Sequence, residues 1–200
     1  MAGIRHSSRT GSPMKKLLPL VLSTLFALPA SQAHAAPRQP YTPDQARALL
    51  AQLGAHVMVI NSDQTLIRKK PASAFDVLTY YPLPKAKVDE YKRNGHIVNT
   101  NDDIADAATY RIKDYALTNE KNEKLRLKDD GSAPSLQDFS LWTYDNALSS
   151  QRGFYVKLDK PFERVKGHLT VVFEMPGNLR HETRVPVDLS ITDKDPRPGT

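Results

Sequence analysis

Two segments near the carboxyl end of this chain alternate between apolar and mostly polar residues, and this alternation constrains the fold more than any other feature. Apolar side chains occupy every second position of both segments. They are Leu169, Val171, Phe173 and Met175 in the first, and Val185, Val187, Leu189 and Ile191 in the second. Because successive side chains of a strand point to opposite faces, this period of two predicts two half-buried strands. The turn residues Pro176-Gly177-Asn178 between them predict an antiparallel hairpin.

The second strand of this hairpin contains Pro186. Proline has no N–H group to donate to a neighbouring strand, and within sheets it is found at edge strands and bulges. The last strand is therefore predicted to lie at the edge of its sheet or to carry a bulge. Residues 192–200 follow it with charges, prolines and no apolar pattern, so we expect a flexible tail there.

Short segments with strand composition also recur before the hairpin. They cover residues 109–117, 124–128, 138–144 and 153–158, and turn residues separate most of them. With the hairpin strands, placed at residues 168–175 and 180–191, they predict a mainly β protein with a minor α component. We expect an antiparallel β-sandwich over residues 106–191. In general architecture it resembles the sandwiches of immunoglobulin or fibronectin type, without the cysteines that form the disulfide of true immunoglobulin domains.

Residues 36–105 precede the predicted sandwich and begin with a helix. Thr42 and Gln45 have the spacing of a capping box, in which each side chain accepts a hydrogen bond from the other residue's backbone. Apolar residues then recur at helical spacing until Gly54, which is typical of a helix end. The sequence predicts a short amphipathic helix between these two signals.

The rest of this region is predicted to be a hairpin, a loop and a second short helix. Residues 56–60 and 65–68 flank a segment of turn composition and predict the hairpin. The prolines within and next to residues 69–83 predict an extended loop. Residues 85–94 predict one or two helical turns that end at Gly95.

The first 35 residues have the three parts of an export signal. Met14-Lys15-Lys16 supplies positive charge, residues 17–28 are mostly apolar, and Ala33-His34-Ala35 has the small residues of a cleavage site. The apolar run is shorter than the ~20 residues of a membrane-spanning helix, so we expect cleavage after Ala35 and no retained span. Residues 1–13 precede these three parts and are interpreted either as an extension of the positively charged part or as the result of a start codon assigned too early. The mature protein is predicted to be periplasmic or secreted.

The charge of the predicted mature chain argues against nucleic acid as a partner. The whole chain has 28 Lys and Arg against 22 Asp and Glu, and four of the basic residues lie in the export signal. The remaining 24 basic and 22 acidic residues are nearly balanced and interspersed. A protein that binds nucleic acid has a basic face, so we expect no nucleic acid partner.

Aromatic residues are the first candidate for a binding site. Tyr80 and Tyr81 lie in the predicted loop, and Trp142 and Tyr144 share one face of a predicted strand. Such side chains often recognise sugars or peptides. The sequence therefore favours a non-catalytic protein that binds a protein or small-ligand partner without a cofactor. Its working surface is expected at these aromatic residues or at an exposed sheet edge such as the strand of Pro186.

The second hypothesis is a periplasmic protein that binds copper or zinc. Its candidate ligands are His56, His96, His168 and His181, since the chain has no cysteine. With a tight turn in the hairpin, His168 pairs near residues 185–187 and His181 near residues 172–174, about four to six residues apart along the sheet. These two histidines would be too far apart to share an ion, so the first expectation is that the protein has no metal site.

A hydrolase is the third hypothesis. The mature chain has neither a Gly-x-Ser-x-Gly elbow nor a Ser-x-x-Lys motif. The Ser149-Ser150 pair lies in a predicted polar connection, and the acid pairs Asp102-Asp103 and Asp129-Asp130 are expected at exposed turns. The sequence therefore predicts that the protein is not an enzyme.

Overall fold

The computed structural model of the protein describes residues 41–68, 70–97, 104–128 and 134–197. In chain order its elements are helix α1 (Pro43–Ala55), strand β1 (Met58–Ile60), helix α2 (Asp63–Arg68), strand β2 (Ala72–Pro82), helix α3 (Lys85–Asn94), a 3-10 helix (Ile104–Ala107), and strands β3 (Thr109–Asn119), β4 (Lys124–Leu125), β5 (Gln137–Tyr144), β6 (Ala147–Phe162), β7 (Arg164–Met175) and β8 (Leu179–Ser190). The predicted export signal, the two acid pairs and the last three residues of the predicted tail lie outside the described residues.

Two four-stranded antiparallel sheets form a β-sandwich, as the sequence predicts. The first sheet has the strand order β1-β2-β6-β5 and the second the order β4-β3-β7-β8. Apolar side chains from the facing sides of both sheets form one core cluster. None of the helices in the described part of the chain is long and apolar enough to cross a membrane.

The hairpin predicted from the alternating apolar residues is confirmed. β7 and β8 pair along their whole length, from Arg164 opposite Ser190 to Met175 opposite Leu179. The eight alternating apolar residues of this hairpin are all at most 8% exposed. At ~1.5–3 kcal/mol for each fully buried aliphatic or aromatic side chain, their burial is a large part of what stabilises the second sheet. β8 lies at the edge of that sheet, as Pro186 predicts.

Helix α1 packs against both sheets and completes the core. Its capping box is formed, because Thr42 Oγ1 accepts a hydrogen bond from the Gln45 N–H and Gln45 Oε1 accepts one from the Thr42 N–H. The apolar face of the helix is buried against β2, β7 and β8. The Thr79 hydroxyl also donates to the Leu53 carbonyl at 2.6 Å, which fastens the helix to β2.

Gly54, in the last turn of α1, lies against the ring of His181. A Cβ atom at Gly54 would be 2.2 Å from His181 Cδ2. We therefore expect Gly54→Ala to lower the free energy of unfolding by about 1–3 kcal/mol, measured by urea denaturation, because the imidazole must move. In the double variant Gly54→Ala/His181→Ala the obstacle is absent, so its loss should be smaller than the sum of the two single losses. Simple additivity would show that the two residues do not interact.

The predicted hairpin of residues 56–60 and 65–68 is wrong. β1 pairs with β2, with Met58 opposite Leu78, and the second segment belongs to helix α2. The Ser62 carbonyl accepts a hydrogen bond from the Leu66 N–H at 3.0 Å, and the Ser62 and Thr65 hydroxyls are 3.1 Å apart. Ser, Asn and Asp begin helices as readily as they form turns, so composition alone did not separate the two structures.

The predicted loop at residues 69–83 is also wrong, because most of it is strand β2. This strand pairs with β1 on one side and with β6 on the other. Pro71 precedes the strand and Pro82 ends it, so the prolines limit its length without interrupting its ladders. The sandwich was expected to begin at residue 106. It begins earlier, because β1 and β2 are two of the four strands of the first sheet. Helix α3 and its end at Gly95, which has φ 73°, are as predicted.

Candidate functional site

Three of the four aromatic residues predicted to bind a ligand lie on the outer face of the first sheet. The strand registers place Tyr80, Trp142 and Tyr144 on this same face. Tyr81 points to the opposite face, where it belongs to the core cluster and is 3% exposed. The structure therefore brings three of these residues together and places Tyr81 in the core.

The rings of His56, Tyr80 and Tyr144 form a stack. The ring centroids of Tyr80 lie 4.3 Å from His56 and 3.8 Å from Tyr144, and the rings are nearly parallel. Tyr144 is mostly buried, its hydroxyl accepts a hydrogen bond from Gln151 Nε2 at 2.6 Å, and burial raises its pKa. Burial and the neighbouring Asp145 carboxylate raise the pKa of Tyr80. Both faces of the Tyr80 ring are covered, so this stack packs on itself and presents no open face of Tyr80 to a ligand.

Trp142 lies beside the chain segment that follows β8. Its indole N–H donates to the Ser140 hydroxyl, and the Arg197 guanidinium carbon lies 6.0 Å from its ring centroid. Arg197 also donates to Asp63 at 2.9 Å and pairs with Asp195. Part of the segment predicted to be a flexible tail is therefore in contact with α2 and with Trp142.

A buried carboxyl group, Asp76, lies on the same outer face of the first sheet. The residue is 4% exposed, and its Oδ1 atom has no hydrogen-bond partner among the residues that the structure describes. Burial, reinforced by the nearby Asp63 carboxylate, raises its pKa to about 7, and the positive charge of Arg197 acts in the opposite direction. Asp76 therefore changes its charge near neutral pH, at a position that solvent hardly reaches.

The four candidate metal ligands have different surroundings. His56 is in the ring stack with its Nδ1 atom 3.1 Å from the Tyr80 carbonyl oxygen, His96 is exposed after α3, and His181 lies against α1. His168 is opposite Pro186, and His181 is opposite Phe173, within the ranges expected from the sequence. Within the described ranges of the chain, no three His, Asp or Glu side chains are placed to hold a metal ion.

The edge strand β8 is a poor template for pairing with a partner strand. Pro186 removes an N–H group from the middle of the strand, a feature by which natural sheets protect their edges. Helix α1 packs against β8, and Asn61 Nδ2 donates to the Ser190 carbonyl at 2.7 Å near its end. The geometry thus favours neither surface proposed from the sequence alone.

A groove of about 530 Å³ opens on the second sheet, where β4 leaves β3. β4 pairs with β3 only at Leu125 and Lys124, and two residues later Leu127 bridges to the first sheet. Small residues of β3 and β7 form the floor of the groove: Ala116, Thr118 and Gly167. Its volume is within the range of ~300–1,000 Å³ that is typical of pockets for small ligands.

Basic side chains line both sides of this groove, which we name the basic groove. Lys124 and Arg126 lie on the β4 side, and Lys166 and His168 lie on the β7 side. Lys124 and Lys166 both pair with Thr118, so they stand at the same level on either side of it. Because neighbouring strands are ~4.8 Å apart, the two sides are separated by about 10 Å.

Three of these basic groups have no counter-charge within the described ranges. In the described part of the chain, the side chains of Lys124, Arg126 and Lys166 make no hydrogen bond or ion pair. Asp188 pairs with Lys166 in the strand register, but its two oxygens accept hydrogen bonds from Arg164 at 2.8 and 2.9 Å. The basic groove therefore holds positive charge that is free to interact with a ligand.

His168 lines the β7 side of the basic groove. Its Nδ1 atom accepts a hydrogen bond from the Arg184 guanidinium at 3.2 Å, so the ring proton is on Nε2. Two carboxylates mark the limits of the positive region: Asp114 lies 3.7 Å from His168 Nε2, and Asp159 accepts from the Arg126 backbone N–H at 2.8 Å.

Sequence reasoning missed the basic groove because the balanced total charge concealed a local excess. A signal was present: Lys124 and Arg126 alternate with Leu125 and Leu127, which places two basic side chains on one face of a strand. Lys166 and His168 alternate in the same way. The sequence did not show that β4 and β7 both neighbour β3, and only this pairing brings the four residues together.

Comparisons with known proteins give little further information. No protein-family model matches the chain, and no curated protein matches it. The crystal structure of a DUF4426 family protein from Pseudomonas aeruginosa PAO1 is similar over 69% of this chain and 90% of that chain, with 10% sequence identity and a TM-score of 0.29. At this level of similarity we base neither the fold nor the site on that protein.

Proposed function

We propose that the protein is an exported, non-catalytic binding protein that holds an acidic ligand in the basic groove. The observation that supports binding is that Lys124, Arg126 and Lys166 line one groove and that their side chains have no acidic partner in the described part of the chain. Like charges held close together repel each other, and an anionic ligand relieves this repulsion while it forms charge-assisted hydrogen bonds. The small floor residues leave space for such a ligand between the two basic sides.

The lining of the basic groove favours binding over catalysis. Among the described residues the lining contains no Asp, Glu, Ser or Cys, and the Nδ1 atom of His168, its candidate general base, is bound by Arg184 and not by a carboxylate that would orient it for catalysis. The serine pair considered for a hydrolase, Ser149 and Ser150, lies inside strand β6 at 0% and 2% exposure, and not in a polar connection. We therefore propose that the ligand leaves the groove chemically unchanged.

Removing two of the groove cations should remove most of the binding. We expect Lys124→Gln/Lys166→Gln to weaken binding of fluorescein-labelled polyacrylate, a simple polyanion, by about tenfold at low salt, measured by fluorescence anisotropy. Each exposed charge pair contributes up to about 1 kcal/mol, so two lost contacts are sufficient for this change.

The matched control is Lys92→Gln/Arg93→Gln, which removes the same charge from exposed positions in the last turn of α3. This control should bind polyacrylate as the wild type does. An equal loss of affinity in both double variants would show that only net charge matters, and it would contradict a site in the groove.

The proposal of export is supported by the charged, apolar and small-residue parts of residues 1–35. We expect the protein recovered from the periplasm or medium of a bacterial host to begin at Ala36, as measured by intact mass. Ala33→Arg/Ala35→Arg should leave the precursor uncleaved, because the cleavage site requires small residues. Recovery of wild-type protein only as uncleaved chain in the cytosol would overturn this part of the proposal.

A further inference from the structure

We infer that the acidic ligand is a linear acidic polysaccharide, a chain of sugar rings that carry carboxylates. This inference rests on the binding function proposed above and adds to it the class of ligand. Three features of the basic groove lead to it: the separation of the cations, the character of the floor, and the state of the backbone beneath the ligand.

The separation of the cations requires a ligand with several spaced negative groups. Lys124 and Arg126 are two residues apart on one side, which is ~7 Å along an extended chain, and Lys166 lies about 10 Å away across the groove. A compact anion such as inorganic phosphate reaches only one or two of these groups at once. A chain that runs along β3 reaches all three cations. Once one of its carboxylates is bound, the others are held close to the remaining cations, so the chain binds more tightly than separate anions making the same contacts.

The floor favours a ligand with a weakly apolar body between its charges. Ala116 and Gly167 are exposed, and Thr118 offers a methyl group and a hydroxyl. The C–H faces of pyranose rings fit such a surface, while their hydroxyls bond to Thr118 or stay in water. Inorganic polyphosphate has no apolar surface to place there.

The floor is less suited to single-stranded nucleic acid or to an acidic peptide. Nucleic acid bases stack on exposed aromatic rings, whereas Tyr115, the aromatic residue of this groove, packs against the core cluster. An extended peptide brings N–H and C=O groups that need partners. The strand backbone at residues 117 and 118 is paired with β7 on one side and with β4 on the other, so it offers the peptide no partner there.

Isothermal titration of the purified exported protein with hexagalacturonate tests this inference. The comparison probes are galacturonate monomer, a linear six-phosphate polyphosphate, hexa-aspartate and a thymidylate hexamer. We expect hexagalacturonate to bind at least about tenfold more tightly than each of them. We also expect its binding to be lost in Lys124→Gln/Lys166→Gln and retained in Lys92→Gln/Arg93→Gln.

Two other results would overturn the inference in different ways. If polyphosphate, hexa-aspartate, the thymidylate hexamer or the monomer binds as tightly as hexagalacturonate and also depends on Lys124 and Lys166, the groove binds anions but the assigned class is wrong. If no acidic probe binds, or if the groove variant binds them as the wild type does, the binding function itself is wrong.

Discussion

Replacing Asp76 by Asn is expected to raise the free energy of unfolding at about pH 8 and to leave it nearly unchanged at about pH 4. In the folded protein the pKa of Asp76 is raised to about 7 from its ordinary value of 3.8, mainly by burial and then by Asp63. The folded state thus binds the proton more tightly than the unfolded state does. The stability that this group contributes is complete below about pH 4 and is lost as the pH rises through 7.

The magnitude follows from the difference between the two pKa values. At about 1.4 kcal/mol per pKa unit, this difference corresponds to a change in the free energy of unfolding on the order of 4 kcal/mol between about pH 4 and about pH 8. An amide at position 76 has nearly the shape of the carboxyl group and carries no charge at any pH. The variant therefore avoids the energy of burying an ionised group, and urea unfolding at a series of pH values measures the gain.

A matched control is Asp188→Asn, which removes a carboxylate whose side chain is 56% exposed beside Arg164 on the second sheet. Its effect should be small and nearly independent of pH over the same range, because surface ion pairs contribute little. If the stability difference between wild type and Asp76→Asn is the same at both ends of the pH range, then burial does not raise the pKa of Asp76 in the folded protein.

Gly167→Ala is expected to lower the free energy of unfolding by about 3 kcal/mol or more. Gly167 has φ 139°, a conformation that other residues adopt only under strain, which contributes ~1–3 kcal/mol. A Cβ atom there would also lie 1.8 Å from the Ala116 carbonyl oxygen. Because that oxygen belongs to the backbone of β3, the clash can be relieved only by separating β3 from β7, which also disturbs the floor of the basic groove.

Gly177→Ala separates the effect of backbone strain from the effect of the steric clash. Gly177 also has a positive φ, 87°, in the turn between β7 and β8, but nothing lies within 4 Å of a Cβ atom built there. Its substitution should show the backbone strain alone and therefore a smaller loss, of about 1 kcal/mol. Equal losses in the two variants, measured by thermal or urea unfolding, would show that the contact with Ala116 has no part in the effect.

The carboxyl-terminal hairpin could be predicted from sequence because β7 and β8 each have one mostly buried and one mostly exposed face. Alternation of the kind seen between Leu169 and Met175, from which only Val172 departs, fits a half-buried strand and does not fit a helix, and proline indicated the edge position of β8. Strand β6 is longer than predicted, because buried Ser149 and Ser150 have the composition of a loop. Polar residues buried inside a strand leave no apolar pattern to detect.

The amino-terminal half was less predictable for a related reason. β2 is a central strand of its sheet, and residues on both of its faces are buried, among them Phe75, Asp76, Leu78 and Thr79. A strand buried on both sides has no alternation, and the prolines at its limits then suggest a loop. The segment before it was ambiguous because Ser62 and Asp63 suit a turn as well as a helix start.

The candidate site depends on tertiary pairing that no local pattern contains. Alternation places Trp142 and Tyr144 on one face of a strand, but the stack of His56, Tyr80 and Tyr144 joins residues far apart in the chain. The basic groove likewise joins residues of three strands. Sequence alternation gives the face of each basic residue, and only the order β4-β3-β7 places those faces around one floor.

The most direct test of the binding site is the change of amide NMR chemical shifts when a short polyacrylate is added to the labelled protein at low salt. The largest changes should occur at residues 115–118, 124–126 and 166–168, which surround the basic groove, and they should be much smaller in Lys124→Gln/Lys166→Gln at the same polyacrylate concentration. Changes centred on Tyr80 and Trp142, or spread evenly over the exposed lysines and arginines, would contradict a ligand site in the groove.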